Sequence, residues 1–206
     1  YTLNNESKVI SPSDSDESSP QPATRRHAED KKQSQQRGQH IHRAIELLSN
    51  GQSKDVVRQL MLRDPDLDPD LDPNLDPNLE LVYNIEKYLD EASTVVNHPN
   101  FSYLFNDASI VAGYNEIPLS YLNNDGNLVS GIIDRLVLHT DDIYIIDYKS
   151  HRENLLAQQE ILAESYRKQL SLYARGIRKL MPSPRIHLLV LFTHTPRIIK
   201  LEHQDK

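Results

Sequence analysis

The chain has 206 residues, which is enough for one hydrophobic core of about 150 residues with loose ends. It contains no cysteine, and this excludes disulfides, cysteine-ligated zinc sites and iron–sulfur clusters and fits a cytoplasmic location. It has neither an apolar run long enough to span a bilayer nor a signal-peptide pattern, so no membrane partner is expected.

The formal net charge is −7, but the acidity is concentrated in one segment. Seven acidic residues and no basic residue lie between Asp64 and Glu80, so the rest of the chain is neutral overall. Any nucleic-acid site must therefore come from a local cluster of basic residues rather than from a global positive field. One such cluster exists, and most of it is expected to be a solvated helix face: Arg167, Lys168, Arg175, Arg178 and Lys179.

Residues 1–36 are rich in Ser, Pro, Gln and charged residues, as in "SPSDSDESSPQP". Such a segment buries too little apolar surface to offset the entropy of ordering, which predicts a disordered or linker segment, helical at most near its end. A helix is then predicted over 38–49, with an apolar face made by Ile41, Ala44, Ile45 and Leu48.

Gly38 and His42 flank the apolar face of this first helix, four residues apart. A glycine inside a helix costs about 1 kcal/mol relative to alanine, which indicates that another part of the chain approaches closely there. His42 is either a metal ligand or a polar residue at the margin of the core, and the pattern leaves both interpretations open.

Helices are also predicted over 54–62 and 80–92, separated by the repeat "DPDLDPDLDPNLDPNL". The recurring proline excludes a continuous helix or a central strand. A calcium loop of the EF-hand type needs a central glycine and a final glutamate at fixed positions, and the repeat has neither. The segment at about 64–79 is therefore interpreted as an acidic spacer inserted between two helices.

Three strands are predicted next, over 111–121, 128–138 and 143–149, with "NNDGN" as the turn between the first two. A long helix over 156–180 follows, ended by Pro182, and a last strand covers 185–193. The order of helices, three strands, helix and strand predicts an α/β fold in which helices cover a mixed sheet.

The second and third strands form a predicted hairpin whose turn is centred between Thr140 and Asp141. That register places Asp134 opposite Asp147, with Cβ atoms about 4.5–5.5 Å apart, and the period of two puts Lys149 on the same face. Two adjacent carboxylates repel unless a cation lies between them, and oxygen ligands favour Mg²⁺, with Mn²⁺ as a substitute.

The alternative to this metal site is a cross-strand salt bridge on a solvated face. The same face of the hairpin also carries the apolar residues Ile132, Leu136, Ile143 and Ile145. Charged groups among apolar neighbours favour a buried and functional arrangement over a solvated salt bridge.

The long helix has an apolar stripe with Gln169 near its middle, flanked by Leu162, Tyr166, Tyr173, Ile177 and Leu180. A buried amide needs hydrogen-bond partners. Gln169 is either a core residue bonded to backbone or a side chain directed at the carboxylate–lysine patch, and the pattern favours neither.

Five short motifs occur in a fixed order, "RGQHIHRAIE", "NEIPLS", "GIIDRL", "IIDYKS" and "YRKQLSLYARGI". Together they resemble the nuclease domain at the carboxyl end of RecB and AddA, within the PD-(D/E)XK superfamily, over about residues 37–195. The resemblance implies a restriction-endonuclease-like core of order αβββαβ in a nuclease domain over 37–206. Related Cas4 and AddB proteins carry cysteines for an iron–sulfur cluster, so this chain is more similar to RecB and AddA.

The resemblance also implies roles for individual residues. The metal ligands would be His42, Asp134, Asp147 and the backbone carbonyl of Tyr148. The catalytic set would comprise the two aspartates with Lys149, Glu116 and Gln169. Lys149 would orient the attacking water or stabilise developing charge on phosphate, and Glu116 would support the metal or the water. Contacts to DNA would come from Gln169, Tyr173, Arg167 and Lys168.

By the same resemblance the expected function is that of a magnesium-dependent DNA exonuclease in DNA end processing and recombinational repair. Its expected partners are DNA, a superfamily 1 helicase domain of the same polypeptide and a second helicase–nuclease subunit. The start at Tyr1 and the long polar segment are expected for a domain of a larger motor protein. The alternatives are an inert DNA-binding or scaffold module of the same fold and a stand-alone structure-specific endonuclease.

Overall fold

The computed structural model describes residues 9–12, 25–64, 79–150 and 156–202, without the side chains of 25–33 and 79–80. The amino-terminal half is mostly helical: β1 (Val9–Ile10), α1 (Arg25–Ser49), α2 (Lys54–Met61), α3 (Leu79–Val96), a 3₁₀ turn (Pro99–Phe101) and α4 (Ser102–Phe105). The remainder contains β2 (Ala112–Leu122), β3 (Leu128–Leu138), β4 (Asp142–Lys149), α5 (Leu156–Ser165), α6 (Arg167–Leu180), β5 (Arg185–Phe192) and β6 (Arg197–Leu201). Most of the predicted linker and of the Asp-Pro repeat lies outside the described residues.

Within the described residues the strands form one mixed six-stranded sheet. β1, β3, β4, β5 and β6 are neighbours in that order, and β2 pairs with β3. β2 is antiparallel to β3 along its length, so β1 and β4 share the other edge of β3. β4 and β5 are parallel, and α5 and α6 form the crossover between them. This confirms the predicted α/β fold with a mixed sheet flanked by helices.

Two apolar clusters lie on the two faces of the sheet. One packs α1 and α3 against Val137, Ile146 and Leu191. The other packs α6 against Leu136, Ile145 and their neighbours. Successive residues of β3 and β4 alternate between the two clusters, because side chains in a strand point to opposite faces. The sheet is therefore covered on both faces by apolar side chains, and the polar groups of the candidate site lie at the ends of its strands.

The predicted hairpin register is confirmed. β3 and β4 pair from Arg135 with Ile146 to Leu138 with Ile143, which centres the turn between Thr140 and Asp141. The turn "NNDGN" between β2 and β3 is also confirmed, with Asn123 N bonded to Asn127 O at 2.9 Å and Gly126 at a φ of 78°. Glycine adopts this left-handed conformation without steric cost.

Several predicted boundaries and positions were wrong. α1 begins at Arg25 rather than at 38, the helix predicted over 156–180 is divided at Tyr166, and β6 was not anticipated. Ile132 is 53% exposed rather than buried, because β3 is unpaired along one edge between β1 and β4. Leu180 is 72% exposed because it is the last residue of α6. No described helix combines the length and the apolar character that a bilayer crossing requires.

Candidate active site

Three carboxylates occupy one row across β2, β3 and β4. Glu116 of β2 and Asp134 of β3 lie opposite each other, between the pairs Asn115–Arg135 and Ile117–Ile133. Asp134 and Asp147 of β4 lie one residue beyond Arg135–Ile146, the last pair of the β3–β4 ladder. At this point the ladder gives way to a side-chain contact, because Tyr148 N donates to Asp134 Oδ2 at 2.8 Å. The end of regular pairing thus brings acidic side chains together.

His42 of α1 completes a compact group with two of these carboxylates. Its Nδ1 lies 3.8 Å from Asp134 Oδ2 and 3.9 Å from Glu116 Oε1. One ligand atom from each of the three residues lies within 4.8 Å of the other two. These separations exceed a hydrogen bond but suit a shared cation. One imidazole nitrogen and two carboxylate oxygens fit Mg²⁺ or Mn²⁺, so the residues present fit a divalent metal.

Glu116 reaches this group through an unusual backbone conformation. Its φ of 49° lies in the left-handed region, which costs a non-glycine residue roughly 1 kcal/mol or more. Burial and the nearby Asp134 raise the pKa of the Glu116 carboxyl. A strained residue that turns a 43%-exposed carboxylate toward another carboxylate is expected at a functional site rather than at a structural one.

Asp147 lies beside the three-residue group and has a different environment. It is 4% exposed, and its Oδ2 is 2.8 Å from Lys149 Nζ, a contact with ion-pair distance but without hydrogen-bond angles. Burial, followed by repulsion from Asp134, raises the pKa of Asp147 to about 6. Because the compact group consists of His42, Glu116 and Asp134, direct metal ligation by Asp147 stays a prediction.

Lys149 is held between a carboxylate and an aromatic ring. Its Nζ lies 3.6 Å from the centroid of the Tyr166 ring, a cation–π contact. Burial alone would lower the pKa of Lys149, but Asp147, Tyr166 and Asp134 together hold it above its ordinary value. The ammonium is therefore charged and fixed in position at the edge of the acidic row.

Gln169 connects α6 with this part of the sheet. It is 8% exposed, and its Nε2 donates to Tyr173 Oη at 3.3 Å and forms a long hydrogen bond of 3.5 Å to Asp147 Oδ1. Of the two interpretations that the sequence left open, the geometry supports the amide directed at the carboxylate–lysine patch. Tyr173 in turn packs on Gly131, where an added Cβ would lie 2.8 Å from Tyr173 Oη.

The remaining predicted residues differ in how free their side chains are to contact DNA or a metal. The guanidinium of Arg167 is bonded to the carboxylate of Glu164 and the carbonyl oxygen of Glu202, whereas Lys168 is exposed and has no ion-pair partner among the described residues. Tyr148 lies between Asp147 and Lys149 with its ring buried on the opposite face. The roles of Arg167 and Lys168 toward DNA and of the Tyr148 carbonyl toward a metal stay predictions.

Tyr166 is the site residue that sequence reasoning missed. It was assigned to the apolar stripe of a continuous helix, but it ends the turn between α5 and α6 and places its ring over Lys149. A tyrosine three residues before Gln169 was the only signal in the sequence, and it did not distinguish packing from contact with the lysine.

The arrangement of these side chains agrees with a match to a known family. The family profile described as "PD-(D/E)XK nuclease superfamily" matches residues 21–205. The chain belongs to this superfamily. The resemblance seen in the five motifs is thereby confirmed, and the family chemistry of the chain is that of a nuclease.

Curated relatives support the same placement at low identity. One, from Listeria innocua, is named as a subunit of an "ATP-dependent helicase/nuclease" and is 23% identical over 176 residues, which is 80% of this chain and 14% of that protein. The proteins of the same name from Lacticaseibacillus casei and Limosilactobacillus fermentum are 35% and 38% identical over 74 and 78 residues, each 35% of this chain and 6% of the relative. The chain thus spans a small part of the relatives it matches.

Proposed function

We propose that the chain is a divalent-metal-dependent deoxyribonuclease that hydrolyses phosphodiester bonds, with Mg²⁺ as the expected ion and Mn²⁺ as a substitute. The observation that carries this proposal is the group of His42, Glu116 and Asp134 within 4.8 Å, beside the Asp147–Lys149 ion pair. Membership in the PD-(D/E)XK superfamily supports the nuclease chemistry.

The site residues divide the chemical work between them. His42, Glu116 and Asp134 would hold a divalent cation, which when bound polarises the scissile phosphate and lowers the pKa of a water molecule. Lys149 supplies a fixed positive charge for the attacking water or for the charge that develops on phosphate. Asp147 and the ring of Tyr166 hold the ammonium in place, and Gln169 orients the Asp147 carboxylate.

We further propose an exonuclease that acts on DNA ends in recombinational repair, joined to a superfamily 1 helicase domain in the same polypeptide. Two observations favour the motor: the matched relatives carry the name "ATP-dependent helicase/nuclease", and the chain spans 6–14% of their length. A second helicase–nuclease subunit is the further candidate partner. The rivals, an inert DNA-binding module and a stand-alone structure-specific endonuclease, make different predictions in one experiment.

The experiment is incubation of the purified chain with linear and closed circular DNA, single- and double-stranded, in Mg²⁺, Mn²⁺ or EDTA. We expect metal-dependent loss of linear DNA only. Asp147→Ala and Lys149→Ala should lower the rate by about 100-fold or more while leaving the fold intact. Lys149→Ala removes the positive charge offered to the charge that develops on phosphate, and Asp147→Ala removes the carboxylate that holds this ammonium in place. Asp141→Ala, an exposed aspartate of the β3–β4 turn, is the matched control and should retain full activity.

Each rival has its own outcome. No cleavage by the wild-type chain under any metal indicates the inert module, and cleavage of closed circular DNA indicates an endonuclease. Full activity of the Lys149→Ala or Asp147→Ala preparation, equal to that of Asp141→Ala, would contradict the assignment of the catalytic residues.

A further inference from the structure

A largely buried ion pair near the candidate active site joins α1 to α3. Arg37 of α1 donates one hydrogen bond to Glu91 Oε2 of α3 and another to the carbonyl oxygen of Ser150. Both charged side chains are only 12% exposed. Burying two charges is costly unless their partners are well placed, so such a pair is retained where it specifies a geometry more than where it adds stability.

Glu91 extends the contact to the next strand. Its Oε1 accepts a hydrogen bond of 2.5 Å from Thr193 Oγ1, which is fully buried at the end of β5, and His194 Nδ1 lies 3.6 Å from Oε2. Thr193 N in turn donates to the carbonyl oxygen of Lys149 at 3.0 Å. The ends of β4 and β5 are thus tied to α1 and α3 through one arginine and one glutamate.

The Arg37–Glu91 ion pair and its contact with Ser150 are close in sequence to two residues of the candidate active site. Ser150 directly follows Lys149, and Arg37 lies five residues before His42 on the same helix. α1 approaches the end of β4 so closely that a Cβ added at Gly38 would lie 3.3 Å from Ser150 Oγ. The close approach anticipated from the glycine is therefore to the residue after the lysine.

His42 is the one member of the compact group that does not lie on a strand. Glu116, Asp134 and Asp147 are aligned by the pairing of β2, β3 and β4. The distance from His42 to these carboxylates depends instead on how α1 is docked at this end of the sheet. Ligand geometry must be held within about 0.5 Å to bind a metal well, and apolar packing alone is less directional than a charged hydrogen bond.

We propose that Arg37 and Glu91 are positioning residues of the candidate metal site. They fix α1 against the end of β4 and so set the separation between His42 and the carboxylates. The proposal rests on the proposed function, because it concerns the same metal site. The contacts described above join these two residues to each other, to Ser150 and to the residues after β5, so their contribution acts through the backbone of α1 and the carbonyl of Ser150.

The test is titration of the metal-free chain with Mn²⁺ by calorimetry, without DNA. Arg37→Gln should raise the Mn²⁺ dissociation constant roughly 10-fold to 100-fold, the usual effect of losing outer support of a metal site. Arg37→Lys, which keeps the charge without the two-pronged contact, should lie between wild type and Arg37→Gln. Arg58→Gln is the matched control, because it breaks the α2–α3 ion pair with Glu86 away from the site and should leave Mn²⁺ affinity unchanged.

Combination with His42→Ala separates positioning from general loosening. If Arg37 acts by placing His42, Arg37→Gln should cause no further loss of Mn²⁺ affinity in the His42→Ala background. The core residues Ile41, Ala44 and Ile45 keep α1 docked, so these variants are expected to fold, as checked by melting temperature. Should Arg37→Gln not fold, Arg37→Lys and Glu91→Gln are carried through the same cycle.

An unchanged dissociation constant in folded variants overturns the proposal, and so does a loss that adds in full to that of His42→Ala. Either result leaves the proposed function standing if the wild-type chain binds Mn²⁺ and cleaves DNA. Absence of Mn²⁺ binding by the wild-type chain contradicts the proposed function itself.

Discussion

Asp147 carries a charge where the folded protein disfavours it. It is 4% exposed and faces Asp134, and Lys149 compensates only in part, so the pKa of Asp147 is raised to about 6. Because the folded state binds a proton more tightly than the unfolded state, the metal-free protein loses stability as the pH rises from about 4 to about 6. The ionised Asp147 carboxylate therefore lowers the free energy of unfolding of the metal-free protein.

We predict that Asp147→Asn stabilises the metal-free chain at neutral pH while it abolishes cleavage. The neutral amide resembles the protonated acid, so the free energy of unfolding at pH 7 in EDTA should increase by about 1–2 kcal/mol. Urea denaturation of wild type and variant between pH 4 and pH 7 measures this difference, which should widen with pH. Asp141→Asn, on the exposed turn, is the control, and equal stability of Asp147→Asn and wild type across this range would refute the prediction.

At the scale of elements, α6 is fitted closely to β2. Gly176 is buried in α6, and an added Cβ there would lie 2.7 Å from Leu119 Cδ2 and 2.8 Å from the Tyr121 ring. Tyr121 cannot withdraw freely, because its hydroxyl donates to Leu172 O of α6 at 2.7 Å. The glycine permits this approach of helix and strand, and the same helix supplies Gln169 and Tyr173 to the site.

We predict that Gly176→Ala destabilises the chain although alanine is the better helix former. The gain in helix propensity is about 1 kcal/mol, whereas overpacking of this kind costs about 1–3 kcal/mol. Thermal denaturation should show a net loss of about 1 kcal/mol.

A double variant identifies the cause of that loss. Leu119→Ala removes one of the two contacts, so Gly176→Ala should cost less in that background. Equal costs in both backgrounds, or a stabilised Gly176→Ala chain, would show that the glycine does not serve close packing.

At the scale of the whole molecule, charge limits how the chain meets DNA. The net charge is −7, and the acidic segment from Asp64 to Glu80 accounts for all of it. Arg167 is bonded to Glu164 and Glu202, so it contributes little free positive charge near the site. This low free positive charge is consistent with the proposal that a helicase motor delivers the DNA to this domain.

We predict that the isolated chain binds DNA weakly. Fluorescence anisotropy with the Asp147→Asn variant in EDTA, where no cutting occurs, should give dissociation constants above about 10 µM at physiological salt, within the nonspecific range. Because few phosphate contacts are made, the affinity should fall only slightly with added salt. A submicromolar affinity with a steep salt dependence would contradict delivery by a motor.

Local patterns were sufficient for much of this molecule. Alternation in β3 and β4 and the centre of their turn fixed the hairpin register, which pairs Arg135 with Ile146 and leaves Asp134 and Asp147 just beyond that last pair. Period two then placed Lys149 beside them. These predictions succeeded because the register of a hairpin depends on residues that are close in sequence.

Boundaries between helices were less accessible from the sequence. The division of α5 from α6 at Tyr166 follows no proline or glycine, and β6 follows a short turn with weak pattern. Tyr166 is placed by its contact with Lys149, a residue of another element. Because that partner lies far away in the sequence, no local pattern around Tyr166 indicates the contact.

Alone, the sequence was enough to establish the α/β fold, the acidic hairpin and the resemblance to a nuclease family, because each follows from local periodicity or motif order. The resemblance implied that His42, Asp134 and Glu116 serve one metal, but only the tertiary structure showed that they lie within 4.8 Å of one another and brought Arg37, Glu91 and Thr193 together. The physical reason is that these contacts join a helix to distant strands. Their geometry depends on how the two faces of the sheet are packed, and no local pattern in the chain encodes that packing.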